Sequence, residues 1–126
     1  MIESASALIH AASELDEVSK RLVKVEMRIE IVEPQVEDFL ESFIAQLYED
    51  CTAEEKRLPP EDVRKALANK AMPSDLKVEY RALLATRRRA KTRLSDLREI
   101  VAAHRSIVSA AKTELEASEG PQPQWS

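Results

Sequence analysis

Leu8, Ala11, Leu15, Val18, Leu22, Val25, Ile29 and Val32 alternate three and four residues apart without a break. This is the seven-residue apolar repeat that keeps one stripe of a helix facing a partner helix. It predicts a first helix from about Ser4 to Glu33. Pro34 lacks an amide donor and crowds the preceding turn, so the helix is expected to break or kink there. A second helix is expected from about Pro34 to Lys56, where Val36, Phe39, Leu40, Phe43, Ile44, Leu47 and Cys51 form a wider apolar face. Both phenylalanines lie on it, and it is expected to be the best-packed part of the fold.

The run Leu58-Pro59-Pro60-Glu61-Asp62 reads as a stop followed by a start, because Pro60 with acidic residues behind it suits a helix first turn. A short third helix is expected to about Lys70, with Val63, Ala66 and Leu67 inward. Met72-Pro73-Ser74-Asp75 repeats the device and opens a last helix, from about Ser74 to Glu116. Its seam is Tyr80, Leu83, Arg87, Ala90, Leu94, Leu97, Val101, His104, Val108, Ala111 and Leu115, with Arg87 and His104 as polar intrusions. No Gly or Pro lies inside it. The pattern predicts an all-α fold: an elongated antiparallel hairpin or coiled coil of two long helices with two shorter helices between them. Residues 1–118 are expected to form a single helical domain, and 119–126 a flexible tail.

The flanks of the seam set the orientation. With seam positions labelled a and d, five of the six e positions of the last helix are basic: Lys77, Lys91, Arg98, Arg105 and Lys112, with Leu84 the exception. The e positions of the first helix include Glu26 and Glu33. Antiparallel pairing sets e against e, so the acidic end of one helix is expected to face the basic edge of the other. Self-pairing of the last helix would set basic against basic. The helix-pairing seam is therefore expected to use Leu8, Leu15, Leu22, Ile29, Leu83, Leu94, Leu97, Val101 and Val108. The stripes are narrow and the last helix is longer than the first, so a homo-oligomer is expected to cover the remaining seam.

Composition agrees with long exposed helices. Of 126 residues, 33% are charged and 4% aromatic, with one Gly, which disfavours a strand-rich fold. The lone Cys51 excludes an internal disulfide and reads as a small buried residue in a reducing compartment. No apolar run approaches the roughly 20 residues of a membrane span, and no targeting peptide is visible, so a cytoplasmic protein without membrane contact is expected. The net charge of −4 is unevenly spread: residues 1–55 hold 14 acidic and 4 basic side chains, whereas residues 77–105 hold 9 basic and 3 acidic ones.

Little in the chain converges for catalysis. His10 and His104 are the only histidines, and neither has the second ligand one turn away that a metal site needs, apart from Glu14 beside His10. His104 in the seam reads as a polar residue that fixes register, with a pH-sensitive role as the alternative. There is no Gly-rich phosphate loop, no Gly-x-Ser-x-Gly elbow and no Glu-x-x-His pair. The expectation is a non-enzyme without cofactor, metal or small-molecule substrate. The segment Arg87-Arg88-Arg89-Ala90-Lys91-Thr92-Arg93, with Arg81 and Arg98 nearby, is the strongest functional signal. These side chains are candidates for contact with nucleic acid or an acidic partner. Against nucleic acid stand the absence of interleaved aromatics and the sequence pI near 5.3. Arg87 and Lys91 are also placed to be neutralised by the protein's own acidic helices. Trp125, in the tail, is either a short docking motif or an aromatic without a role.

The LPPEDVRKAL turn (Leu58 to Leu67), the Tyr80-Arg81 helix opening and the run His104-Arg105-Ser106-Ile107-Val108-Ser109-Ala110 resemble small helical proteins of actinobacterial bacteriophages. The resemblance spans Arg57 to Glu116 and transfers no functional residue. It implies a phage accessory protein in the host cytoplasm, some of its kind being encoded among early genes for DNA recombination. The leading expectation is thus a helical interaction protein, an oligomerising adaptor or a phage accessory or inhibitor that engages a host or phage protein. A nucleic-acid-binding accessory and a structural scaffold are the alternatives.

Overall fold

The computed structural model describes residues 2–118 and contains three helices: α1 (Ile2–Ala53), α2 (Glu61–Ala71) and α3 (Ser74–Ser118). The two long helices, α1 and α3, pack antiparallel with the short α2 between them in sequence. The expected tail 119–126, with Trp125, lies outside the described residues.

The main departure from the sequence reading is at Pro34. The helix does not break there: α1 continues through it, so one short helix, not two, joins the long pair. Pro34 offers no N–H to the carbonyl of Glu30, a defect worth about 3 kcal/mol in a helix interior. Tertiary burial offsets it. Ile29, Val32 and Val36 lie on one helical face on both sides of the proline and all are buried, while Pro34 itself points to solvent.

The described residues divide into two compact units, residues 2–22 with 89–118 and residues 23–88. In the first, Ala11 and Val18 of α1 bury against Ala90, Leu94, Leu97 and Val101 of α3, with Leu8, Leu15 and Leu22 partly covered beside them. In the second, Val32, Val36 and Met72 form the buried centre, and Phe39, Leu40, Leu76, Tyr80 and Leu83 pack around it. Phe43, Ile44, Leu47 and Cys51 are only half-buried, so the wide face of α1 is not the best-packed region. The cover available to it is α2, an 11-residue helix whose one buried residue is Ala68. Val63, Ala66 and Leu67, expected inward, are exposed. α2 instead turns its Arg64 and Ala68 side inward, where the alanine permits close approach and the Arg64 guanidinium sits 5.9 Å from the Tyr48 ring centre.

The ends of these helices follow from local chemistry. Glu55 adopts φ 54°, and around it the Lys56 amide donates to the Cys51 carbonyl at 2.8 Å and the Glu55 amide to Thr52 at 3.2 Å. This pair of bonds is the Schellman C-cap. α1 therefore stops before the two prolines rather than at them. Pro60 caps α2, its carbonyl accepting from the Arg64 amide at 2.9 Å. Met72 ends α2 with ψ 137°, the extended setting imposed by the following Pro73. The Pro73 carbonyl then accepts the Lys77 amide and starts α3.

Candidate functional site

The residues of the expected pairing seam differ in burial. Ile29, Leu94, Leu97 and Val101 are buried, and Leu8, Leu15, Leu22, Leu83 and Val108 are half-buried. His104 lies in the same row, half-buried, and its Nδ1 has no hydrogen-bond partner.

The charges flanking the seam pair differently from the sequence expectation. Among the described residues, the ion pairs joining α1 to α3 are Glu14–Arg93 and Arg28–Glu79. All four are g positions, so the salt bridges lie on the flank opposite the expected e edge. Antiparallel packing juxtaposes g with g as readily as e with e. Arg93 grips Glu14 with both ends of its fork, Nη2 donating to the two carboxylate oxygens at 2.7 and 2.9 Å and Nε at 3.1 Å. That hydrogen bonding, reinforced by the guanidinium charge, holds the Glu14 carboxyl below its ordinary value. Arg28 has the same effect on Glu79 through its Nε hydrogen bond.

On the e flank of residues 23–88 lies a shallow cleft of about 340 Å³, lined by Glu26, Ile29, Glu30, Glu33, Pro34, Glu37 and Arg87. Arg87, a seam position, lines it together with four glutamates spaced about one turn apart along α1, and among the described residues it forms no salt bridge with them. The Tyr80 hydroxyl donates to Glu33 at 3.2 Å. Burial, then the Glu33 hydrogen bond and charge, raises the Tyr80 hydroxyl above the usual phenol range, so it remains a neutral donor.

The seven candidate basic residues are thereby separated. Arg87 is half-buried in the wall of the cleft, and Arg93 is held by Glu14. Arg81, Arg88, Arg89, Lys91 and Arg98 are exposed, and among the described residues none of them takes part in a salt bridge. No helix among the described residues is long and apolar enough to cross a membrane.

One feature of α1 had no part in the sequence reading. Val23, Met27 and Ile31 are 55%, 60% and 55% exposed, and at four-residue spacing they share one face. The seam residues Val25, Ile29 and Val32 point the opposite way around the helix. A second apolar period within the first was the available signal, obscured because the seam accounted for the helix by itself. No family model, curated protein or solved structure matches the chain.

Proposed function

We propose that this chain is a non-enzymatic helical interaction module that self-associates and docks a host or phage protein through exposed helix surface. The observation that carries this reading is the Val23–Met27–Ile31 stripe. Three large apolar side chains more than half exposed on one face are costly to leave in water, and contiguous exposed apolar surface marks association sites. The Arg93–Glu14 pair supports it from the other side, because it engages one of the candidate anion-binding groups within the fold. Sedimentation across a micromolar to sub-millimolar range is expected to give a mass that rises with concentration above the 14.2 kDa of one chain. A constant monomer mass over that range would sink the reading.

Nucleic-acid binding is the second reading, favoured by the exposure of Arg88, Arg89 and Lys91 within one turn. Phosphate contacts of this kind weaken steeply with salt. A mobility-shift assay at low salt, with single- and double-stranded DNA, discriminates the two. Binding lost on Arg88→Ala/Arg89→Ala would favour this second reading over the first.

A further inference from the structure

From the stretch of α1 that runs on past the start of α3, we infer that Phe43 and Leu47 of α1, with Val63 and Leu67 of α2, form a docking face for an amphipathic, Lys/Arg-flanked helix of another protein. This gives the docked protein of the function proposed above a chemistry and a seat; it rests on that docking and not on self-association. The Arg28–Glu79 pair, and the packing of Leu76 against the cluster of Val32, Val36 and Met72, set the start of α3 level with residues 32–36 of α1. From there to Ala53 α1 continues for roughly 25 Å, and among the described residues its cover is the 11-residue α2. α2 runs back along α1, with Arg64 at the Tyr48 ring and Met72 in one cluster with Val32 and Val36. Phe43 and Tyr48 diverge by roughly 140° around α1, so α2, drawn to the Tyr48 side, leaves the Phe43 side open. Val63 and Leu67 share the flank of α2 that its antiparallel course turns to this same side. Phe43 and Leu47 are half-buried, Val63 and Leu67 exposed. The Phe43 ring is held in place by stacking on Phe39, centroid to centroid 6.1 Å.

The charge around this face is one-sided. Residues 37–71 carry nine acidic and five basic side chains, a net −4. Glu37, Asp38, Glu41, Glu49 and Asp50 are exposed, and among the described residues none takes part in a salt bridge. Lys56 is paired with Glu54, Lys65 with Glu61, and Arg64 lies over Tyr48, which leaves Arg57 and Lys70 to offset those five carboxylates. The last turn of α1 adds the negative end of a helix dipole beside Glu49 and Asp50. A second copy on this face would set the same net −4 against itself. The basic edge of α3 in a second copy is no substitute, because Lys91, Arg98 and Arg105 lie on the flank opposite its exposed Ile100 and Ile107. A foreign helix with an apolar row at three- and four-residue spacing, and Lys or Arg beside it, meets both the apolar and the charge requirement.

The probe is a fluorescein-labelled peptide of Leu and Lys, about 18 residues long to span the face as a helix, with Leu at helical spacing. A Leu/Glu peptide of the same pattern and a Leu/Lys peptide of scrambled order serve as controls. Fluorescence anisotropy with the full chain is expected to show binding of the patterned Leu/Lys peptide alone. Val63→Ser/Leu67→Ser, with helix content unchanged by circular dichroism, is expected to weaken that binding roughly tenfold. Asp50→Lys is expected to weaken it roughly three- to tenfold, and Met27→Ser, outside this face, to leave it as it is. Equal binding of the scrambled peptide, or an affinity unmoved by Val63→Ser/Leu67→Ser, would mean that charge alone holds the peptide and would overturn the site. Loss of self-association by Val63→Ser/Leu67→Ser in sedimentation would assign the face to a second copy instead. A chain that self-associates but ignores the peptide loses this site alone, whereas one that binds it as a monomer keeps the site and loses the self-association.

Discussion

Glu55 occupies a conformation that suits glycine. At φ 54° its Cβ crowds the backbone, yet the Schellman cap of α1 requires a left-handed residue at this point. Glu55→Gly is expected to raise stability by about 0.5–1 kcal/mol, read as a higher urea midpoint with an unchanged slope. His104 carries the opposite kind of defect. Its Nδ1 is buried in the seam row without a hydrogen-bond partner, and such an atom typically costs about 1–3 kcal/mol. His104→Leu is expected to stabilise the fold; a lower melting temperature would instead assign the imidazole a contact that the seam needs. The seam positions themselves were readable residue by residue, because a seven-residue period admits one phase. The orphaned nitrogen was not, since an apolar period says where a side chain points and nothing about which atoms meet it.

Pro34 shows how an element can override its own local signal. Proline is the strongest helix breaker, and reading the chain locally divides α1 in two. What keeps α1 whole is that the apolar face stays in phase across the proline, from Ile29 and Val32 to Val36, all buried. Burying such side chains is worth about 1.5–3 kcal/mol each, enough together to outweigh one missing hydrogen bond. Pro34→Ala is accordingly expected to add up to about 3 kcal/mol of stability without changing the helix content seen by circular dichroism. A loss of stability would mean that the proline shapes the helix rather than merely being tolerated by it. In α2 the same competition ran the other way. Val63 and Leu67 are the more apolar residues, but a helix this short packs through Arg64 and Ala68, the side that lets its backbone come near.

Across the molecule, the ion pairs between the long helices make stability depend on acid. The Arg93 and Arg28 guanidinium groups hold the Glu14 and Glu79 carboxyls below their ordinary values. A carboxylate lowered in the folded state contributes fully above the unfolded range of about 4.3, and that contribution disappears as pH falls through the lower folded value. Glu14→Gln is expected to show a smaller drop in urea midpoint than wild type between neutral pH and about pH 3, where these carboxylates titrate. The two proteins should then converge at the acid end, and equal slopes would mean that the pair contributes nothing. By itself the sequence determined that the protein is helical, where α3 begins and which stripes pair, because the spacing of apolar residues and the chemistry of Pro and its neighbours act over a few residues. Only the tertiary structure decided that α1 is one helix, that the g flank carries the salt bridges, and that Arg93 is already engaged by Glu14. Those outcomes depend on how much apolar surface is buried at once and on which charges are brought within reach across the pair, and neither is a property of any local stretch of chain.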